Sequence, residues 1–294
     1  MNEYVDYQVN SKEKRYLIIR IIFSALFYIL LVGAIAFFMT LGESIIAPVA
    51  VGVFYIFLLL VFILVRTGIL VGFLEGNAIK VSNRQFPDIQ FIVEKQTQLL
   101  GLSKVPRVYI LQSGGILNAF VTHFFGASYI VLYSEMVEAA YEKDSAVIEF
   151  VIGHELGHLK RKHMLTSLLL FPSAIVPFLA AAHSRGCEYT CDAIGFALSP
   201  SGAKNGLLLL ASGKGLMNKV KVAEYTAQTT SNEGFWCWFS EKWMTHPHLS
   251  KRLSVCNSLI IEPISSIASK PIVEVEKDKE AEPIDDHSKY MPQF

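Results

Sequence analysis

The sequence predicts a mostly helical α+β protein: an N-terminal two-helix transmembrane hairpin, then a folded domain with a small antiparallel sheet. Three observations carry that prediction. Two uncharged runs, Ile21 to Leu41 and Ile45 to Val65, follow each other closely; β-rich stretches gather between Arg107 and Tyr133; and apolar residues recur at helical spacing from Ser145 to Lys162. The 294 residues suffice for one or two folded units. Hydrophobic residues make up 52% and charged ones 18%, more apolar than an ordinary soluble domain.

Each apolar run would cover roughly 30 Å of hydrocarbon as a helix. The link between them is so short that the helices must run antiparallel, with Glu43 near the tip. Lys12, Lys14, Arg15 and Arg20 precede the first run and Arg66, Lys80 and Arg84 follow the second, while the tip has no Lys or Arg. The positive-inside rule places both ends in the cytoplasm, so the expectation is a multi-pass protein of the inner membrane with its folded domain on the cytoplasmic side. The first run exceeds a signal peptide's apolar region and has no Ala-x-Ala exit, so it is expected to stay as an anchor. The expected division is 1–20 cytoplasmic segment, 21–65 hairpin, 66–260 folded domain, and 261–294 a disordered charged tail.

Within the domain, Ala78 to Ser82 reads as a short strand, and a helix from Pro87 carries Ile89, Ile92, Val93, Gln96 and Leu99 on one stripe until Gly101 stops it. Arg107 to Gln112, Asn118 to Thr122 and Ser128 to Tyr133 read as strands separated by turns at Ser113-Gly114-Gly115 and Gly126. A helix follows, with Ser145 in its cap region. Phe235-Trp236-Cys237-Trp238-Phe239 reads either as an interfacial anchor or as core, and core is the expectation. Lys plus Arg and Asp plus Glu each total 26, so the chain lacks the basic excess of a nucleic-acid binder. The cysteines, Cys187, Cys191, Cys237 and Cys256, form no CxxC pair and read as free thiols.

The chemistry begins at His154-Glu155-Leu156-Gly157-His158. Histidines at i and i+4 share a helix face and reach one ion, while Glu155 is offset toward a water on that ion. A catalytic zinc needs a third protein ligand. Glu188 and Asp192, one turn apart on a helix ending near Ser199-Pro200, supply it: Glu188 as ligand and Asp192 as the acceptor that orients a ligand imidazole. His183, Cys187 and Cys191 are rivals for the metal, and His163 is expected to point off the ligand face as part of a basic surface patch. Met164 to Ala182 is uncharged but contains Pro172 and Pro177. A single crossing would part His154 from Glu188, so a break at Pro172 and a return to the same side is expected.

Together these residues resemble the HtpX-like and CAAX-prenyl-endopeptidase group of membrane zinc metallopeptidases, in the gluzincin class. The resemblance runs from about Ala78 to Leu253. It rests on His154 to His158, on Glu188 to Asp192 in a Ser-Arg-x-x-Glu-Tyr context, on Asn118-Ala119-Phe120, and on His246-Pro247 followed by Arg252. It implies one zinc per chain, protein or peptide substrates, and hydrolysis of peptide bonds. It also implies that His246 faces the active site and stabilises the oxyanion, that Arg252 backs the metal ligands, and that Asn118, Ala119 and Phe120 hold the substrate. Cys191 stands where the group has Ala, and the interval between the metal motifs is too short for the two full spans of HtpX-like members. Membrane-protein quality control is the branch the short architecture favours. Two other readings are an intramembrane zinc protease and a non-catalytic membrane scaffold. The first would place the motif in a continuous apolar span, whereas Lys160-Arg161-Lys162 follow Leu159 here; against the second, every catalytic position is filled.

Overall fold

The computed structural model describes residues 4–40, 46–231 and 234–261. The expected charged tail and the hairpin tip with Glu43 lie outside the described residues.

Helix α1 (Ser11–Met39) starts where the Asn10 side chain accepts from the Lys12 amide at 2.9 Å, and Glu13 complements the positive end of the helix. From Ile21 onward nearly every side chain is exposed, as on a lipid-facing helix, but Glu13, Arg20 and Ser24 are buried. The segment 11–20 is therefore packed against the folded domain. Helix α2 (Ile46–Asn77) is exposed through Val65, and its end, at Val71 and Leu74, is buried near the sheet. Both helices are long and apolar enough to cross a membrane.

Strand β1 (Ile79–Lys80) leads to helix α3 (Pro87–Leu99), which has Pro at its start and buries Ile89, Val93 and Gln96. Gly101 then adopts φ +61°, and a Cβ there would meet the Tyr4 ring at 2.7 Å, so only glycine fits. Strands β2 (Arg107–Leu111), β3 (Ala119–Phe124) and β4 (Ala127–Tyr133) complete a sheet of order β1-β2-β4-β3. The sheet is mixed rather than antiparallel, because β2 and β4 pair in parallel. The reason is burial: β4 has Tyr129 to Leu132 buried and takes an inner place, leaving the half-exposed β3 on the edge.

Helix α4 (Ser134–Lys143), unread in the sequence, leads to α5 (Ala146–Lys160). The Ser145 side chain makes no cap bond; the Asp144 side chain accepts from the Ala146 amide instead. The chain continues through α6 (His163–Leu169), a 3₁₀ turn (Phe171–Ile175), α7 (Leu179–Leu198), α8 (Pro200–Ser212), α9 (Val222–Ser231), α10 (Phe235–Trp243) and α11 (Leu249–Ile261). The interval 164–182 breaks at Pro172 and returns, as expected. Helix α5 is the centre of the core: Phe150, Ile152 and Leu156 are fully buried, and α5 packs on α7 and α8. The aromatic segment expected in the core is not there, since Phe235, Trp236 and Trp238 on α10 are all exposed.

Candidate metal centre

The α5–α7 contact decides the site. A Cβ on Gly157 would lie 3.2 Å from Cys191 Sγ, and one on Gly153 would lie 3.1 Å from Gly195 Cα. The two backbones therefore nearly touch, which brings the His154/His158 face of α5 onto the Glu188/Asp192 face of α7. Cys191 is fully buried in this contact, a small side chain where the two helices meet.

His154 Nε2 and His158 Nε2 are 3.3 Å apart, and they lie 3.5 and 3.4 Å from the two Glu188 oxygens. One nitrogen of each imidazole and a Glu188 oxygen fall within 4.8 Å of one another, close enough to hold one ion. Glu188 Oε2 is buried without a hydrogen bond, though it lies in ion-pair range of His154 and of Arg252 Nη1 at 3.3 Å. An orphaned buried carboxylate oxygen beside two converging imidazoles fits a cation between them.

Behind the ligands, His154 Nδ1 is 3.0 Å from Asp192 Oδ1, and Arg252 donates to both Asp192 oxygens at 2.8 and 2.6 Å. Burial pushes the Asp192 carboxyl up, but Arg252 and the His154 bond outweigh it and hold it below the usual range. Asp192 thus stays an acceptor and orients the His154 ring with Nε2 toward the ligand cluster.

The second imidazole has a matching support that the sequence spacing concealed. His163 is buried, not part of a surface patch: its Nδ1 lies 3.1 Å from His158 Nδ1 and its Nε2 3.4 Å from Glu13 Oε1. Lys162 has φ +53°, which ends α5 and swings His163 back over the ligand face. Arg161 donates twice to Glu13 Oε1, at 3.0 and 2.8 Å. Burial raises the Glu13 carboxyl, but His163, Thr190 and Arg161 together bring it down to about 2. No glycine marked the turn, so the visible signal was only the His at the fifth position after His158.

His183 is within hydrogen-bond range of Arg20 Nη1 at 3.0 Å and stands outside the three-ligand group. Cys187 and Cys191 reach His183 and His163 only at 3.7 to 3.8 Å, and burial pushes both thiols up.

A cavity of about 360 Å³ opens over the cluster and takes in Glu155, His246, Asn118, Ala119 and Phe120. Burial raises the Glu155 carboxyl, with His154 and His158 opposing, which moves it toward the range of a working base. His246 stands before Pro247 with Nε2 3.4 Å from Glu188 Oε1 and its side chain 61% exposed. Ala119 and Phe120 lie on β3, whose outer edge pairs with no strand among the described residues.

Residues 83–176 match the family model Peptidase family M48, a stretch that includes His154 to His158 and stops before Glu188. The chain is 27% identical over 156 residues to the plastoglobule-localized metallopeptidase 48, chloroplastic, of Arabidopsis thaliana, covering 47% of this chain and 44% of that protein. It is 39% identical over 67 residues to the CAAX prenyl protease 1 homolog of Dictyostelium discoideum, covering 23% and 15%. The match therefore spans less than half the length of each relative. The crystal structure of S. mikatae Ste24p aligns with a TM-score of 0.37 and 17% identity, over 56% of this chain and 49% of that one. The resemblance to the HtpX-like and CAAX-prenyl-endopeptidase group is thus borne out by the family model and the curated relatives.

Proposed function

We propose, from the premise that this chain carries an M48 metallopeptidase domain, that it is a membrane-anchored zinc endopeptidase. The observation that carries the reading is the convergence of His154 Nε2, His158 Nε2 and a Glu188 oxygen within 4.8 Å, beneath a cavity that Glu155 lines. His154, His158 and Glu188 would hold the ion. A zinc ion held there would supply Lewis-acid charge for the scissile carbonyl and would make a water at the site a better acid. Glu155 takes a proton from the water as its oxygen bonds to the scissile carbon and the carbonyl becomes an oxyanion, then hands that proton to the amine as the C–N bond breaks and the carbonyl re-forms. His246, on the cavity rim, donates to the developing oxyanion. The substrate lies extended along β3 beside Asn118, Ala119 and Phe120, held by main-chain pairing that demands no single sequence. Residues 66–260 form the catalytic domain on the cytoplasmic face of the inner membrane, where the work is quality control of membrane proteins.

The test is casein degradation by the purified chain against Glu155→Gln, each with chelator and zinc add-back. Wild type should cut, lose activity to the chelator and regain it with zinc. The variant should bind zinc and lose about 10²–10⁴-fold in rate. Two proteins that bind zinc equally and cut nothing would overturn the reading.

A further inference from the structure

Besides the hairpin, exposed apolar side chains gather on two elements. The α6 helix and the 3₁₀ turn present Leu165, Leu168, Leu169, Phe171 and Ile175, the last 78% exposed; α10 presents Phe235, Trp236, Trp238 and Trp243. In water such a surface would be an association liability.

The first element is fastened to α1 at the level where α1 becomes apolar. Leu169 O accepts from Tyr28 Oη at 2.9 Å, and Leu170 O accepts from Arg20 Nη2 at 3.1 Å, Ser24 Oγ at 3.4 Å and Ser173 Oγ at 2.6 Å. The apolar run begins at Ile21, and at about 1.5 Å per residue Tyr28 stands about 10 Å farther along α1. The carbonyls freed at the end of α6 are thus satisfied by Arg20, Ser24 and Tyr28 of α1 and by Ser173 of the turn, which is what a helix end in hydrocarbon requires. In sequence, charge precedes the apolar residues in both elements: Arg20 before Ile21, and Lys160 and Lys162 before Met164.

The second element is locked to the return of the first. Arg185 Nη1 donates to Glu241 O and Met244 O at 2.7 and 2.6 Å, which holds the end of α10 against α7. Phe178 meets Trp243 edge-on at 5.1 Å, and Lys242 Nζ lies 5.1 Å over the Trp238 ring. Indoles with a nearby lysine are the composition of a headgroup-layer anchor.

We propose that α6, the 3₁₀ turn and α10 form one lipid-facing belt, with α6 and the turn dipping into the acyl layer beside α1 and α10 lying among the headgroups. The belt seats the catalytic domain on the bilayer, and because Met164 and Ser167 line the cavity, its mouth opens at the membrane surface. The proposal rests on α1 being a membrane span.

The three tryptophans of the chain are Trp236, Trp238 and Trp243, so selectively excited tryptophan fluorescence reports α10 alone. The full chain is reconstituted in phosphatidylcholine–phosphatidylglycerol vesicles, with flotation as the control for insertion. Phosphatidylcholine brominated in its acyl chains should remove most of the tryptophan emission, bromines near the headgroup more than deep ones, and aqueous iodide should remove little. In a second variant the three tryptophans are replaced by Phe and Phe171→Trp is added; its emission should be lost most to deeper bromines. A chain that floats but whose emission iodide removes and bromolipid spares overturns the proposal, because the face is then in water. Emission spared by both means that protein, a second copy included, covers the face, and this also overturns it. A chain that does not float fails at the reading of α1 instead.

Discussion

His163 Nδ1 stands 3.1 Å from His158 Nδ1, and the other nitrogen of His163 faces Glu13, near the start of the membrane helix. With His158 binding through Nε2, its Nδ1–H donates to His163, whose Nε2–H in turn donates to Glu13. The arrangement parallels Asp192 behind His154, so each of the two imidazoles has its own support.

His163→Ala should weaken metal binding by about 10–100-fold, as loss of an outer-shell partner does elsewhere. Competition with a chromophoric chelator measures it. His163→Gln, which keeps a polar group at that place, should recover part of the affinity, and unchanged affinity in both variants would remove His163 from the site.

Arg252→Met should be among the most damaging changes in the chain. It leaves Asp192 and Glu188 buried without their cation, and breaking a buried pair in this way costs about 3–5 kcal/mol. Chemical denaturation of the metal-free protein in detergent gives the number. A loss smaller than about 1 kcal/mol would mean that water reaches the carboxylates.

Gly195→Ala should push α5 and α7 apart. A Cβ there would sit 2.8 Å from the Phe150 ring and 2.9 Å from the Phe150 carbonyl oxygen, and overpacking of this kind costs about 1–3 kcal/mol. Because the same contact sets the ligand spacing, metal affinity should fall together with the melting temperature. A stable variant with normal affinity would show that the helices can shift freely.

Acid should destabilise the fold in two stages. Burial, with Arg20 adding to it, lowers His183 from 6.5 to about 4, so its contribution is complete above pH 6.5 and is lost as pH falls toward 4. Glu13 is lowered from 4.5 to about 2, so its contribution is complete above pH 4.5 and is lost as pH falls toward 2. Melting temperature followed from neutral pH downward should begin to drop near pH 6.5. His163 and His123 are also lowered by burial and add to the first stage, so His183→Asn should shrink that stage and keep the second; a profile flat to pH 4.5 in the wild type would contradict the burial of a neutral His183.

Much of this protein is legible in its residue order because the signals are local. Two long uncharged runs form helices long and apolar enough to span a membrane, and His154, Glu155 and His158 share a helix because i and i+4 lie one turn apart whatever surrounds them. The pairing of Glu188 with Asp192 follows the same rule. Tertiary structure decided what depends on distant contacts or on one backbone angle. Lys162 turning left-handed reversed the place of His163. Burial of β4 made the sheet mixed, and Arg185 anchoring α10 left its tryptophans outside the core. Glu13 and His163 are 150 residues apart in the chain, and Arg252 and Asp192 are 60 apart. No periodicity links such pairs; the close approach of α5 and α7 at their glycines, and the packing of α1 on α7, bring them together.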